Sequence, residues 1–115
     1  MLGTTFGGNH LACAAVKSVL KVIKKEKLMA NAKTIEAYFK EKAKTIPAIQ
    51  QVKGRGLMLG IQLEEEVSPL RKRLIYDHHI FTGGAKDKKV LRILPPLTIQ
   101  EKHIDQLFEA LSIEL

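Results

Sequence analysis

The segment Thr4-Thr5-Phe6-Gly7-Gly8-Asn9 sets two hydroxyls and two glycines directly before a helical pattern. The unpaired N–H groups and the dipole of a helix N-terminus favour an anion. The loop therefore reads either as an anion seat or as an ordinary capped entry to a helix. Arg92 interrupts the apolar run Val90-Leu91-Arg92-Ile93-Leu94-Pro95-Pro96-Leu97. Burying an unpaired guanidinium is costly. An arginine so placed grips a carboxylate or phosphate through its planar fork, or it closes a structural salt bridge. The residues alone leave both open.

Other reactive types lead less far. His78-His79 follow Asp77, but adjacent histidines in a strand point to opposite faces and no Cys or further His stands at ligand spacing. They read as exposed turn residues, and no metal is expected. Cys13 has no sequence neighbour to stabilise a thiolate, so it reads as a small helix residue. Arg71-Lys72-Arg73 reads as a solvated helix face, and Gly54-Arg55-Gly56 as a turn too common to claim a phosphate.

The elements that must position these residues follow from periodicity. Asn9 is a good N-cap, and Leu11, Ala15, Val19, Val22 and Ile23 recur at helical spacing after it, which predicts an amphipathic helix from 9 to about 26. Leu28, Ala32, Ile35, Phe39, Ala43 and Ile46 mark a second helix, stopped at Pro47. The two are expected to pack their apolar faces on something shared. Leu57, Leu59, Ile61 and Leu63 alternate with polar or small residues as a half-buried strand does. Ile49 to Lys53 is its partner strand, with Gly54-Arg55-Gly56 as the turn. Ser68 as N-cap and Pro69 at the first position open a short helix to about Asp77. Ile80-Phe81 and Val90 to Ile93 are short strands on either side of the polar loop Gly83 to Lys89. Thr98 and Glu101 form a capping box, and Ile104, Leu107, Phe108 and Leu111 the inner stripe of a last helix. The order is α+β, a small antiparallel sheet covered by helices on one face.

The chain has 115 residues, enough for one cored domain and short for a whole metabolic enzyme. Its +7 formal charge raises the question of nucleic acid or an acidic membrane. Lys17, Lys21, Lys24 and Lys25 fall on one helix face, and Lys40, Lys42 and Lys44 are interleaved with Glu36 and Glu41. The two tyrosines and four phenylalanines do not alternate with them. A solvated surface is the reading, with neither nucleic acid nor membrane as partner. Nothing approaches a membrane-spanning apolar run, and Met1-Leu2-Gly3-Thr4-Thr5 lacks the pattern of a secretory leader. One cysteine favours a reducing compartment, so a cytoplasmic location is expected.

Three stretches in order carry a family resemblance. Gly3 to Ala15, GTTFGGNHLACAA, resembles the GSTFGGNPLACAA stretch of class III, acetylornithine-type, pyridoxal-phosphate aminotransferases. Val52 to Gly60, VKGRGLMLG, is similar to that family's VRGRGLMLG hairpin, and Leu91 to Thr98, LRILPPLT, to its LRLLPPLT segment. The resemblance implies the C-terminal small domain of a fold type I transferase, with residues 1–26 an interface loop and linking helix and 27–115 the small domain. It implies that Thr5 reaches the cofactor phosphate of the other subunit of a homodimer, that Thr4 lies by the acylornithine substrate, and that Arg92 grips the substrate α-carboxylate. The family reaction passes an amino group from N-acetylornithine to 2-oxoglutarate in arginine biosynthesis. The cofactor-anchoring lysine and the acid that pairs with the pyridine nitrogen belong to a large domain before this point. No catalytic residue is assigned here, and the chain alone is expected to be inactive and without bound pyridoxal phosphate. His10 replaces the family's usual proline, and the loop Ala85 to Lys89 is longer and more basic than the family's glycine turn. The first helix, made on this reading to be covered by a larger domain and a second subunit, is expected to keep an exposed apolar face and to self-associate. Two alternatives stand: a freestanding basic α+β binding domain, or the same domain of an ornithine, succinylornithine or other ω-aminotransferase.

Overall fold

The computed structural model describes residues 3–115; Met1 and Leu2, where the leader pattern was sought, lie outside them. The chain runs α1 (His10–Lys25), α2 (Leu28–Ala43), β1 (Gln51–Arg55), β2 (Met58–Gln62), α3 (Ser68–His78), β3 (Gly83–Gly84), β4 (Val90–Ile93) and α4 (Glu101–Glu114). The strands form one antiparallel sheet in the order β1-β2-β4-β3. The expected α+β class is the one observed.

Period-two alternation sorts the sheet into two faces. Leu59, Ile61, Leu91 and Ile93 are buried on the inner face, against Ile35, Phe39 and Ala43 of α2, Leu70 and Leu74 of α3, and Ile104, Leu107, Phe108 and Leu111 of α4. Phe39 is fully buried at the centre, edge-on to Phe108 with ring centroids 5.0 Å apart. Ion pairs close the seams between helices. Tyr38 of α2 donates to Asp105 of α4, which also pairs with Lys42 at 3.2 Å. The carboxylate of Glu114 in α4 accepts from Arg73 and meets His78, both of α3.

α1 departs from the expected shared packing. Asn9 caps it as predicted, its side-chain oxygen accepting from Ala12 N–H. Yet the helix contains no buried residue, and Leu11, Val16, Val19 and Leu20 are all exposed. It joins α2 through a turn at Glu26 and Lys27, with Lys27 left-handed. The radius of gyration is 16.9 Å and the longest axis 49 Å, whereas a compact chain of this length has a radius of about 13 Å. The core begins at Leu28, and α1 stands out from it.

Four local expectations shift. The hairpin turn falls at Gly56-Leu57, because Gly54 pairs with Leu59 inside the ladder. Gly54 has φ +100°, and a Cβ there would sit on the Met58 carbonyl, so glycine is required. Helix α3 begins at Ser68 with no side-chain cap, Val67 taking the position before it, where it is buried and its N–H is fixed to the Lys88 carbonyl. The capping box lies at Gln100 and His103, since Thr98 is used in a turn closed by Ile99 N–H to the Pro96 carbonyl. The strand expected at Ile80-Phe81 lies at Gly83-Gly84, the residues that meet Arg92 and Leu91 of β4.

Candidate functional site

Arg92 must face away from the core because Leu91 and Ile93 on either side of it are buried. On that outer face the pairing sets Gly60 opposite Arg92 on one flank and Gly83 on the other. Lys53 stands opposite Gly60, so one row across the sheet reads Lys53, Gly60, Arg92, Gly83. The guanidinium leans over β3: a Cβ built on Gly83 would lie 2.7 Å from Arg92 Nε and 2.9 Å from Nη2. Arg92 is exposed and takes part in none of the ion pairs among the described residues. The structural salt bridge that the sequence left open is therefore not formed by these residues.

The surroundings hold β4 in place. Asn31 of α2 donates to the carbonyls of Leu97 (2.8 Å) and Ile99 (3.0 Å), tying the Pro95-Pro96 segment after β4 to the helix layer. The loop before β4 turns on Asp87, whose carboxylate accepts from Lys89 N–H and whose carbonyl accepts from Val90 N–H. Glu36 of α2 accepts from Gly56 N–H at 2.8 Å and so pins the hairpin turn. Its bond to Lys40, then that bond to Gly56, hold its carboxyl below the usual range.

Thr5, Phe6, Gly7 and Gly8 form an exposed turn before α1, and Thr4, also exposed, leads into it. Asn9 organises it from both ends, accepting from Ala12 N–H and donating to the Phe6 carbonyl at 2.7 Å. A Cβ on Gly7 would strike the Thr4 methyl, and Gly8 is left-handed. With Ala12 N–H taken by the cap, the amides of His10 and Leu11 at the first turn remain without an intrahelical partner. No hydrogen bond or ion pair among the described residues joins this turn to the Arg92 row.

The lesser candidates fall elsewhere. His78 is no exposed turn residue: it ends α3 half-buried, 3.0 Å from Glu114, while His79 is left-handed and exposed. Bonds from His78 and then Arg73 lower the Glu114 pKa. The Arg71–Arg73 stretch is likewise more than a solvated face. Arg73 pairs with Glu114, and Arg71 is half-buried with a long 3.3 Å bond to the Thr82 carbonyl. Cys13 is exposed on α1. Among the described residues no cluster of three His, Cys, Asp or Glu could hold a metal, and no helix is long and apolar enough to cross a membrane. Sequence reading missed Gly60, Gly83 and Lys53 as neighbours of Arg92, because only strand order and register reveal them.

The Aminotransferase class-III family profile matches residues 1–115. The chain is 45% identical over 114 residues to the acetylornithine aminotransferase of Aquifex aeolicus, an alignment covering 95% of this chain and 28% of that protein. It is 38% identical over 108 residues to the ornithine aminotransferase of Bordetella pertussis, covering 90% of this chain and 26% of that one. The crystal structure of the ornithine aminotransferase from Toxoplasma gondii superposes with a TM-score of 0.82 at 28% identity, over 98% of this chain and 30% of that one. The chain thus spans less than a third of the length of these relatives. Matched along its whole length, this chain belongs to the class-III aminotransferase family.

Proposed function

We propose that the chain is the C-terminal part of a pyridoxal-phosphate-dependent aminotransferase that moves an amino group between an ornithine-type donor, N-acetylornithine first, and 2-oxoglutarate, as in arginine biosynthesis. The observation that carries this is the guanidinium of Arg92, exposed on the outer sheet face against Gly83 and in no ion pair among the described residues. Its fork suits a carboxylate, a group that donor and acceptor both carry, and gripping it orients the substrate. Residues 1–26 act as interface loop and linking helix and 27–115 as the small domain; a core that starts at Leu28 supports that division.

The first turn suits a cofactor phosphate. The Thr5 hydroxyl is exposed and enters no hydrogen bond among the described residues, beside glycine backbone and the first amides of α1. On this reading Thr5 holds the phosphate of the other subunit's cofactor in a homodimer, and Thr4 lies by the acylornithine donor. When bound, pyridoxal phosphate supplies the electron sink for the transfer. The cofactor-anchoring lysine lies in the remainder of the polypeptide, so this chain holds and orients but transfers nothing by itself. The whole enzyme works in the cytoplasm on small molecules.

Arg92→Ala and Arg92→Lys in the full-length enzyme test the assignment. Losing a charge-assisted fork costs about 1.5–3 kcal/mol, or roughly 10- to 100-fold in KM for carboxylate substrates. Lysine restores the charge without the planar fork, so only part of the loss should return. Unchanged KM values for both donor and 2-oxoglutarate in the alanine variant would remove the basis of the proposal. A panel of acetylornithine, succinylornithine and ornithine as donors then fixes the specificity.

A further inference from the structure

We infer that Gly83 is a positioning residue for Arg92: its missing side chain is the space in which the guanidinium lies. This rests on the carboxylate-gripping role proposed for Arg92. Four observations lead to it. Gly83 pairs directly with Arg92 across the β3–β4 ladder. Its φ is outside the left-handed region, so the backbone does not call for glycine there. The three nearest atoms that a Cβ at Gly83 would meet all belong to the arginine head: Nε at 2.7 Å, Nη2 at 2.9 Å and Cζ at 3.1 Å. The neighbouring glycine behaves differently, since a Cβ on Gly84 meets only Arg71 Nη1, at an easier 3.3 Å.

Antiparallel neighbours normally press side chains against each other. Here one member of the pair has none, and the other uses the gap. Because Gly83 has no side chain, the rotamer that lays the Arg92 head against the β3 backbone stays open, and a Cβ there would exclude it. Filling the gap with a methyl group bears first on Arg92, because the three nearest atoms that a Cβ at Gly83 would meet are all of that side chain. Only the flexible end of a long side chain has to move, and it moves away from where it lay.

The prediction is a loss of ligand grip without a loss of fold. In the full-length enzyme, Gly83→Ala should weaken binding of glutarate, an unreactive dicarboxylate, by about tenfold in titration calorimetry, the size of one charge-assisted hydrogen bond. KM for 2-oxoglutarate should rise in step, with kcat changing less and the melting temperature holding. Gly84→Ala makes the same chemical change on the same strand but points to the other face, and should leave glutarate affinity as it was. If Arg92→Ala weakens glutarate and Gly83→Ala does not, the positioning role is overturned while the reading of Arg92 stands. If Arg92→Ala itself has no effect, that reading falls and this inference with it. Equal weakening by Gly83→Ala and Gly84→Ala would point to strand stiffness and overturn the assignment. So would failure of Gly83→Ala to fold, since a clash with a movable side-chain end cannot cause it.

Discussion

Replacing Phe39 by alanine tests where the folding unit lies. The ring has 0% exposure, sits between α2, α4 and the inner sheet face, and stands edge-on to Phe108 at a 68° interplanar angle. Truncating such a residue removes its transfer energy and leaves a cavity, together about 3–5 kcal/mol. Domains of this size hold about 5–15 kcal/mol in all. A loss of about 4 kcal/mol, divided by an unfolding entropy of about 2.1 cal/mol/K per residue, lowers the melting temperature by roughly 15–20 °C. The matched comparison is Leu20→Ala on α1, where the side chain is 61% exposed. That change should stay within about 0.5 kcal/mol. Thermal unfolding followed by circular dichroism, with urea titration alongside, reads both variants. Comparable losses from the two would mean that α1 shares the core, and the division at residue 26 would be wrong. A loss below about 1 kcal/mol from Phe39→Ala would show that the described core does not carry the stability.

Three further outcomes follow. Gly54→Ala should destabilise by about 2 kcal/mol or more, since both its φ of +100° and the Met58 carbonyl exclude a Cβ; a urea midpoint equal to the parent's would refute the strain. Bonds from His78 and Arg73 depress the Glu114 pKa, so its contribution is present above the unfolded value of about 4.3 and fades as pH falls through the lower folded value. Glu114→Gln should therefore narrow its stability gap to the parent as the pH drops from 6 to about 2.5, and a constant gap would sink that account. Light scattering of the 115-residue chain should show mass rising with concentration, with Leu20→Lys reducing the rise, because the exposed Leu11, Val19 and Leu20 have no cover among the described residues; a clean monomer throughout would count against it.

Much of this fold is legible in the residues, and the misses have physical causes. Helical spacing placed α1, α2 and α4, and alternation placed β2 and β4, because in each a stripe of large apolar side chains repeats with the period of the backbone. β3 carries no such stripe. Two glycines become a strand only because β4 offers them partners, which is tertiary information. The start of α3 after Val67 and the cap at Gln100 escape the sequence for a related reason: a distant carbonyl at Lys88 fixes Val67, and a local turn claims Thr98 before the helix can use it. For the site, the oddness of Arg92 was visible in sequence, whereas its glycine flanks are 32 residues before it and 9 before it and meet it only through register.

The distribution of charge agrees with the anion proposed for the outer sheet face. The carboxylates in ion pairs are Glu36, Glu41, Asp105 and Glu114, all on the helices. Three of them work at tertiary seams: Glu36 at the hairpin turn, Asp105 between α2 and α4, Glu114 between α3 and α4. The strands β1, β2 and β4 carry no acidic residue, yet their outer face presents Lys53, Arg55 and Arg92. Arg55 is partly answered, since its charge helps to lower the Glu36 pKa across the turn. Lys53 and Arg92 have no such answer among the described residues, and only the width of Gly60 separates their positions in the row. A surface of one sign raises the rate at which an anionic ligand of the kind proposed would arrive. The strands that carry the Arg92 row thus offer bases and no acid, which is the charge balance the proposed role of Arg92 requires.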